Sequence, residues 1–132
     1  MEIAIWFANA LFPNEPWWRE QAAAVPDITM SAGSEAVLAE QGFLLNNALD
    51  NLAAERPGLT DLYFVGFAPY GRQDVFRKDV EAAQKVMDTR WRTETRSVVL
   101  VNNPQTLLTA PFATVTNLRE TLNEIGAAID SE

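Results

Sequence analysis

Residues 61–101 read DLYFVGFAPYGRQDVFRKDVEAAQKVMDTRWRTETRSVVLV, and this run decides the fold. Its first stretch, Asp61 to Phe67, is apolar after the leading aspartate and rich in β-formers, the pattern of a strand covered on both faces. A loop follows from Ala68 to Gln73, and a helix begins near Asp74. Phe76, Val80, Ala83, Met87 and Trp91 recur at spacings of four, three, four and four, which lines up one helical face. Arg77, Lys78, Glu81, Lys85 and Asp88 fall elsewhere on the same helix, so it is amphipathic and lies on a sheet. Ser97 to Val101 is a second buried strand, closed by Asn102-Asn103-Pro104. Strand, helix and strand in this order predict two parallel strands joined by a right-handed crossover.

Upstream, Ser34 is a candidate N-cap, and Leu38, Leu45, Ala48, Leu49 and Leu52 form a helical stripe that Arg56-Pro57-Gly58 stops. Downstream, Val115, Leu118, Leu122, Ile125 and Ile129 mark a last helix, with Asn117 and Glu120 as its candidate capping box. A two-stranded parallel sheet is too small to be a whole layer, since such sheets have several strands and covered faces. The chain therefore reads as a piece of an α/β layer structure whose remaining strands lie elsewhere. It divides into an apolar N-terminal segment with a linker, residues 1–33, and an α/β region, residues 34–132. The segment IAIWFANALF, residues 3–12, is too short for a bilayer span of about 20 residues, and Glu2 argues against a secretory signal. It suits a short docked helix, an interfacial anchor or the end of a longer membrane segment, with Trp17 and Trp18 at headgroup depth. Membrane contact by residues 3–18 is one expectation.

Composition narrows the chemistry. The 132 residues include 10 basic and 18 acidic side chains, no Cys and no His, with 48% hydrophobic residues. Nearly half apolar, the chain has the makings of one packed core. Without thiol or imidazole it carries no disulfide, no thiolate or His-dependent nucleophilic catalysis and no zinc site of the usual kind. The net charge of −8 is spread as −6 over residues 1–57, +1 over 58–96 and −3 over 97–132. Backbone phosphates are gripped by clustered Lys and Arg, and the one basic cluster, Arg90, Arg92 and Arg96, is interleaved with Asp88 and Glu94. Nucleic acid is not an expected partner, and nothing in the sequence identifies a cofactor.

Gly66 and Gly71 have the spacing of a phosphate-binding loop, but Arg72 and Gln73 stand where that motif needs Lys and then Ser or Thr, and Pro69 removes an amide donor. A strand-to-helix turn is the better reading. The loop nevertheless lies at the carboxyl end of a strand, where open α/β sheets place ligands. Tyr70, Arg72 and Arg77 are candidates to face such a site, Arg being suited to a carboxylate or amide by its planar fork; a solvated surface charge is the default alternative. The carboxylate pairs Asp74 with Asp79 and Glu120 with Glu124 read as solvated helix charges.

Residues 55–83, ERPGLTDLYFVGFAPYGRQDVFRKDVEAA, closely resemble the bacterial branch of the legumain-like (asparaginyl endopeptidase, haemoglobinase) cysteine peptidase family. SVVLVNNPQTL at 97–107 and ATVTNLRETLNEIGAAID at 113–130 look like that family's second strand and the helix before its catalytic strand. The resemblance covers about residues 35 to 130 and is most specific over 57–83. It implies a partial caspase-like three-layer α/β/α sandwich, with parallel strands, flanking helices and the later strands missing. The family's catalytic His follows a third strand in a Ser-His-Gly motif, and its nucleophilic Cys follows a fourth, commonly after Ser-Ala; neither occurs here. The resemblance also implies a substrate-binding Arg near the first strand's carboxyl end. Arg72 or Arg77 can correspond, and the Asp79 to Ala83 register favours Arg77.

Two expectations about function follow. The first is a non-catalytic N-terminal portion of a legumain-like cysteine endopeptidase, inactive alone, whose complete enzyme acts on a peptide or protein substrate. The second is a stand-alone interaction or oligomerisation module derived from that fold, with homo-oligomers formed through an open sheet edge.

Overall fold

The computed structural model describes residues 33–129, so the apolar segment, most of the linker and the expected membrane contact of residues 3–18 lie outside the described residues. The elements are helix α1 (Glu35–Asp50), strand β1 (Phe64–Ala68), helix α2 (Asp74–Trp91), strand β2 (Ser97–Val101) and helix α3 (Val115–Ile129). This is the predicted order. No described helix is long and apolar enough to cross a membrane.

Ser34 caps α1 as its position predicts: its backbone is extended and its hydroxyl accepts the Val37 N–H at 3.4 Å. The helix stops well before the Arg56-Pro57-Gly58 signal. Asn51 turns its side chain back to the Asn47 carbonyl at 2.6 Å, and Ala53 leaves the helix to donate to the Thr95 carbonyl at 2.8 Å. Local side-chain bonding and a tertiary partner win over helix continuation. α3 is capped by Thr114, whose hydroxyl accepts the Asn117 N–H at 3.1 Å, and not by a box of Asn117 and Glu120. Asn117 instead lies inside the first turn and donates to the Phe112 carbonyl at 2.9 Å.

β1 and β2 pair in parallel from Phe64 opposite Ser97 to Ala68 opposite Val101. Side chains alternate across this sheet. On one face Phe67, Val98 and Leu100 pack with Leu45, Ala48, Leu49 and Leu52 from α1 and the residues after it, and with Leu118 of α3. Leu100 and Val98 are the deepest, at 0% and 1% exposure. On the other face Gly66 and Val99 lie beneath Val80 of α2: a Cβ on Gly66 would come 2.8 Å from Val80 Cγ1 and 3.2 Å from Val99 Cγ2. Glycine here lets the helix approach the sheet closely.

α2 departs from expectation in one respect: none of its residues is buried. Phe76 and Trp91, the ends of the predicted apolar stripe, are 43% and 53% exposed, while Val80 and Met87 in its middle are partly buried. Geometry explains this. An 18-residue helix is ~27 Å long, whereas five-residue strands span ~17 Å, so both ends of α2 overhang a sheet only two strands wide.

Candidate functional site

The loops leaving β1 and β2 meet at the sheet's carboxyl edge, and glycine makes that meeting possible. A Cβ on Gly71 would lie 2.6 Å from the Asn102 carbonyl oxygen and 3.1 Å from its carbon. Asn102 ties the edge together. Its N–H donates to the Ala68 carbonyl at 2.9 Å, its Nδ2 to the carbonyls of Pro69 and Ala113 at 3.0 and 3.1 Å, and its Oδ1 accepts the Ala113 N–H at 3.0 Å. Both glycines of the 66–71 spacing thus serve packing, Gly66 within the strand and Gly71 in the turn.

Asp74 opens α2 beside this junction. Its Oδ1 accepts Asn103 Nδ2 at 2.9 Å, and its Oδ2 accepts Gln105 Nε2 at 3.3 Å and an Arg77 guanidinium N–H at 3.4 Å. The Asn103 hydrogen bond, with Arg77 and Lys78 nearby, holds the Asp74 carboxyl below the usual carboxylate range against the opposing effect of burial. Asn103, at 2% exposure, is a buried polar group satisfied by this contact. Asp74 is therefore a partly exposed charge, as its sequence position suggests, that also ties the helix start to the loop after β2.

The two predicted arginines occupy different settings. Arg77 is mostly covered, with one guanidinium nitrogen 2.9 Å from both Glu81 carboxylate oxygens and the other toward Asp74; Glu81 foremost raises its pKa. Its Nε is buried without a hydrogen-bond partner. Arg72 is exposed in the loop after β1 and makes no ion pair among the described residues. Tyr70, in the same loop, sets its ring edge-on against Phe76 at 5.4 Å between centroids and is 42% exposed. The carboxyl edge thus carries Tyr70 and Arg72 in the loop after β1 and Arg77 in the first turn of α2, where Asp74 bonds to Arg77, Asn103 and Gln105.

The sheet's amino edge holds a second charged cluster. Asp61, expected in the strand, precedes it: its carboxylate accepts the Arg56 backbone N–H at 2.8 Å and Arg56 Nε at 3.0 Å, and lies 3.2 Å from Arg96 Nη2. Arg96 also donates to the Ala54 carbonyl at 2.8 Å and stacks 5.9 Å from the centre of the Tyr63 ring. The basic run Arg90, Arg92 and Arg96 is accordingly not one surface patch, because Arg96 is 7% exposed. Asp61 clamps the turn that contains Gly58, whose φ is +73°. The Arg56 side-chain hydrogen bond, then its backbone bond and the charges of Arg56 and Arg96, lower the Asp61 pKa from 3.8 to about 2.

That shift has a defined sign. A carboxyl with a depressed folded-state pKa adds stability above its unfolded value and loses it as pH falls through the folded one. Wild-type urea midpoints should fall between about pH 5 and about pH 2, and Asp61→Asn should flatten part of that fall. Equal pH slopes in the two proteins would remove Asp61 from this role.

An open groove of about 430 Å³ runs between the start of α1 and the loop after β2, lined in part by Ser34, Val37, Gln105, Leu107 and Leu108. Gln41 of α1 fixes that loop, donating to the Leu107 carbonyl at 2.8 Å and accepting the Phe112 N–H at 2.7 Å. Among the described residues no three acidic side chains are grouped to hold a metal ion. Compared with family models, curated proteins and solved structures, the chain has no match.

Proposed function

We propose that this chain is the non-catalytic N-terminal portion of a legumain-like cysteine endopeptidase, inactive alone, built as part of a caspase-like three-layer α/β/α sandwich. The observation that carries the reading is that residues 57–83, the stretch with the most specific resemblance, form β1, its exit loop and the start of α2, and so place Arg72 at the carboxyl edge of a parallel sheet. Helices on both faces of that sheet are the arrangement the resemblance implies. The chemistry agrees with a partial machine: peptide hydrolysis by such an enzyme needs a thiolate to attack and an imidazole to move protons, and the 132 residues contain neither Cys nor His.

In this reading the chain's own residues bind and orient substrate. Arg72, which has no ion pair among the described residues, offers its guanidinium to a substrate amide or carboxylate, while Arg77, held by Glu81 and Asp74, fixes the start of α2. The sequence register favoured Arg77 for direct contact, and the ion pairs that occupy it favour Arg72.

The test is made on the complete protein encoded by the source gene, assayed on Asn-containing peptides. Cleavage that thiol alkylation abolishes is expected there, and none from the 132-residue chain. Arg72→Ala should raise KM about tenfold with little change in kcat, the loss of one charge-assisted contact. Arg77→Ala should raise KM less and lower the thermal midpoint. Turnover by the isolated chain, or a complete protein indifferent to alkylation, refutes the proposal; unchanged KM in both variants removes the arginine roles.

A further inference from the structure

We propose that the outer edge of β1 is a strand-docking site, and that in the 132-residue chain it is filled by β1 of a second copy, antiparallel, about a two-fold axis at Val65. The inference rests on the described strands alone and stands or falls apart from the peptidase reading.

The hydrogen-bond ladder fixes which groups face outward. Phe64 N–H donates to the Arg96 carbonyl and Asn102 N–H to the Ala68 carbonyl, so Phe64, Gly66 and Ala68 face β2. In a parallel ladder the alternate residues face the other way. The N–H and C=O groups of Tyr63, Val65 and Phe67 therefore point out from the sheet and have no hydrogen-bond partner among the described residues. Tyr63, Val65 and Phe67 are partly buried, and a docked strand would supply the partners their outward backbone groups lack.

The outer edge of β2 differs. Its chain is closed at both ends, by Ala53 N–H on the Thr95 carbonyl and by Val101 N–H on the Pro111 carbonyl, at 2.8 and 2.9 Å. Only a short window remains between them. β1 has no such closure and none of the usual protections of an edge: from Leu62 to Ala68 there is no charge and no proline.

The roof above this edge is also in place. Asp74 reaches Asn103 after β2, and Asp88 accepts from Ser97 at its start, so one flank of α2 is turned toward β2. Helical spacing puts Phe76, Ala83 and Met87 on the flank away from those two carboxylates, over the outer side of β1. Phe76 is 43% exposed there. An added strand would be covered by apolar side chains on that face.

Among the described residues β1 has the longer open edge, and a second β1 matches it in length and register. Pairing of β1 with its own copy consumes the edge in both chains, giving a closed dimer and not a fibre. Because the axis stands perpendicular to the sheet, α2 lies beside its copy and the α1 and α3 layer beside its own. Centring on Val65 sets Tyr63 against Phe67 of the other chain, an aromatic cross-strand pair.

Light scattering on the 132-residue chain between ~1 and ~200 µM should show a rise toward twice the 14.7 kDa chain mass. Amide exchange at Val65 and Phe67 should slow as the dimer forms. Val65→Pro and Phe67→Pro each remove an outward N–H that the chain itself does not use, and both should give monomer. Val99→Pro makes the same change on the outer edge of β2 and should leave the dimer. Circular dichroism checks that the variants fold, and the wild-type exchange result stands without them. A monomer at the highest concentration, protected Val65 and Phe67 amides in a monomer, or a dimer whose Val65 and Phe67 amides exchange freely overturns the proposal.

Discussion

Gly71→Ala is expected to destabilise the fold by about 3 kcal/mol, at the upper end of overpacking costs. For a domain of this size that is a fall of ~15 °C in thermal midpoint. The added Cβ would meet the Asn102 carbonyl oxygen at 2.6 Å. No rotamer change relieves such a contact, because the Cβ position is fixed by the backbone and the obstacle is itself a backbone carbonyl. The Asn102 bonds to Ala68, Pro69 and Ala113 hold that carbonyl where it is. Gly66→Ala is the instructive comparison. Its closest obstacles are the side chains of Val80 and Val99, at 2.8 and 3.2 Å, which can shift, so a loss of only about 1 to 2 kcal/mol is expected. Thermal unfolding of both variants gives the order, and a Gly66 variant weaker than the Gly71 one would contradict the account of the carboxyl edge.

Leu100→Ala is expected to cost about 3 to 4 kcal/mol, in the range for a buried leucine whose site cannot collapse. Leu100 is 0% exposed and sits where β2 meets Leu45, Ala113 and the partly buried Leu49 and Leu118. Elements on two sides hold that space open. Native domains are stable by only about 5 to 15 kcal/mol, so this one truncation removes a large share. Leu108→Ala serves as the control. At 57% exposure, it should change stability by no more than about 0.5 kcal/mol. Urea denaturation separates the two, and a Leu100 variant as mild as the Leu108 one would mean that the α1 and α3 layer is not the core.

Much of the fold is legible in the sequence because two periods dominate it. The run from Asp74 to Trp91 and the strand from Ser97 to Val101 have the predicted bounds, each set by a change of hydrophobic period. Bounds failed where side chains bond locally or across the fold. Asn51 ends α1 through Asn47, Thr114 takes the cap expected of Asn117, and Asp61 leaves the strand for Arg56 and Arg96. No period carries such information. At the carboxyl edge, Arg72 and Arg77 were visible by type, whereas Asn103, Gln105 and Gln41 were not. Amides are unmarked in a sequence, and their roles arise from loops that only the folded chain brings together. The Pro57-Gly58 turn flanked by Arg56 and Asp61 was the one local signal that could have pointed to the amino-edge cluster.

The Gln41 clasp bears on the order in which the molecule assembles. Its partners Leu107 and Phe112 lie 66 and 71 positions away along the chain, whereas β1 and β2 meet across the much shorter span from Phe64 to Ser97. Closing a longer loop costs more entropy, though the cost grows only logarithmically. The strand, helix and strand unit can therefore form from nearby parts, and α1 joins after the loop that receives Gln41 has taken shape. In reverse, α1 is the element whose departure leaves the parallel pair and α2 intact. Such an opening would uncover the part of the Val98 and Leu100 side that α1 covers, leaving Leu118 of α3 in place there, while Val80 of α2 stays packed on the other side.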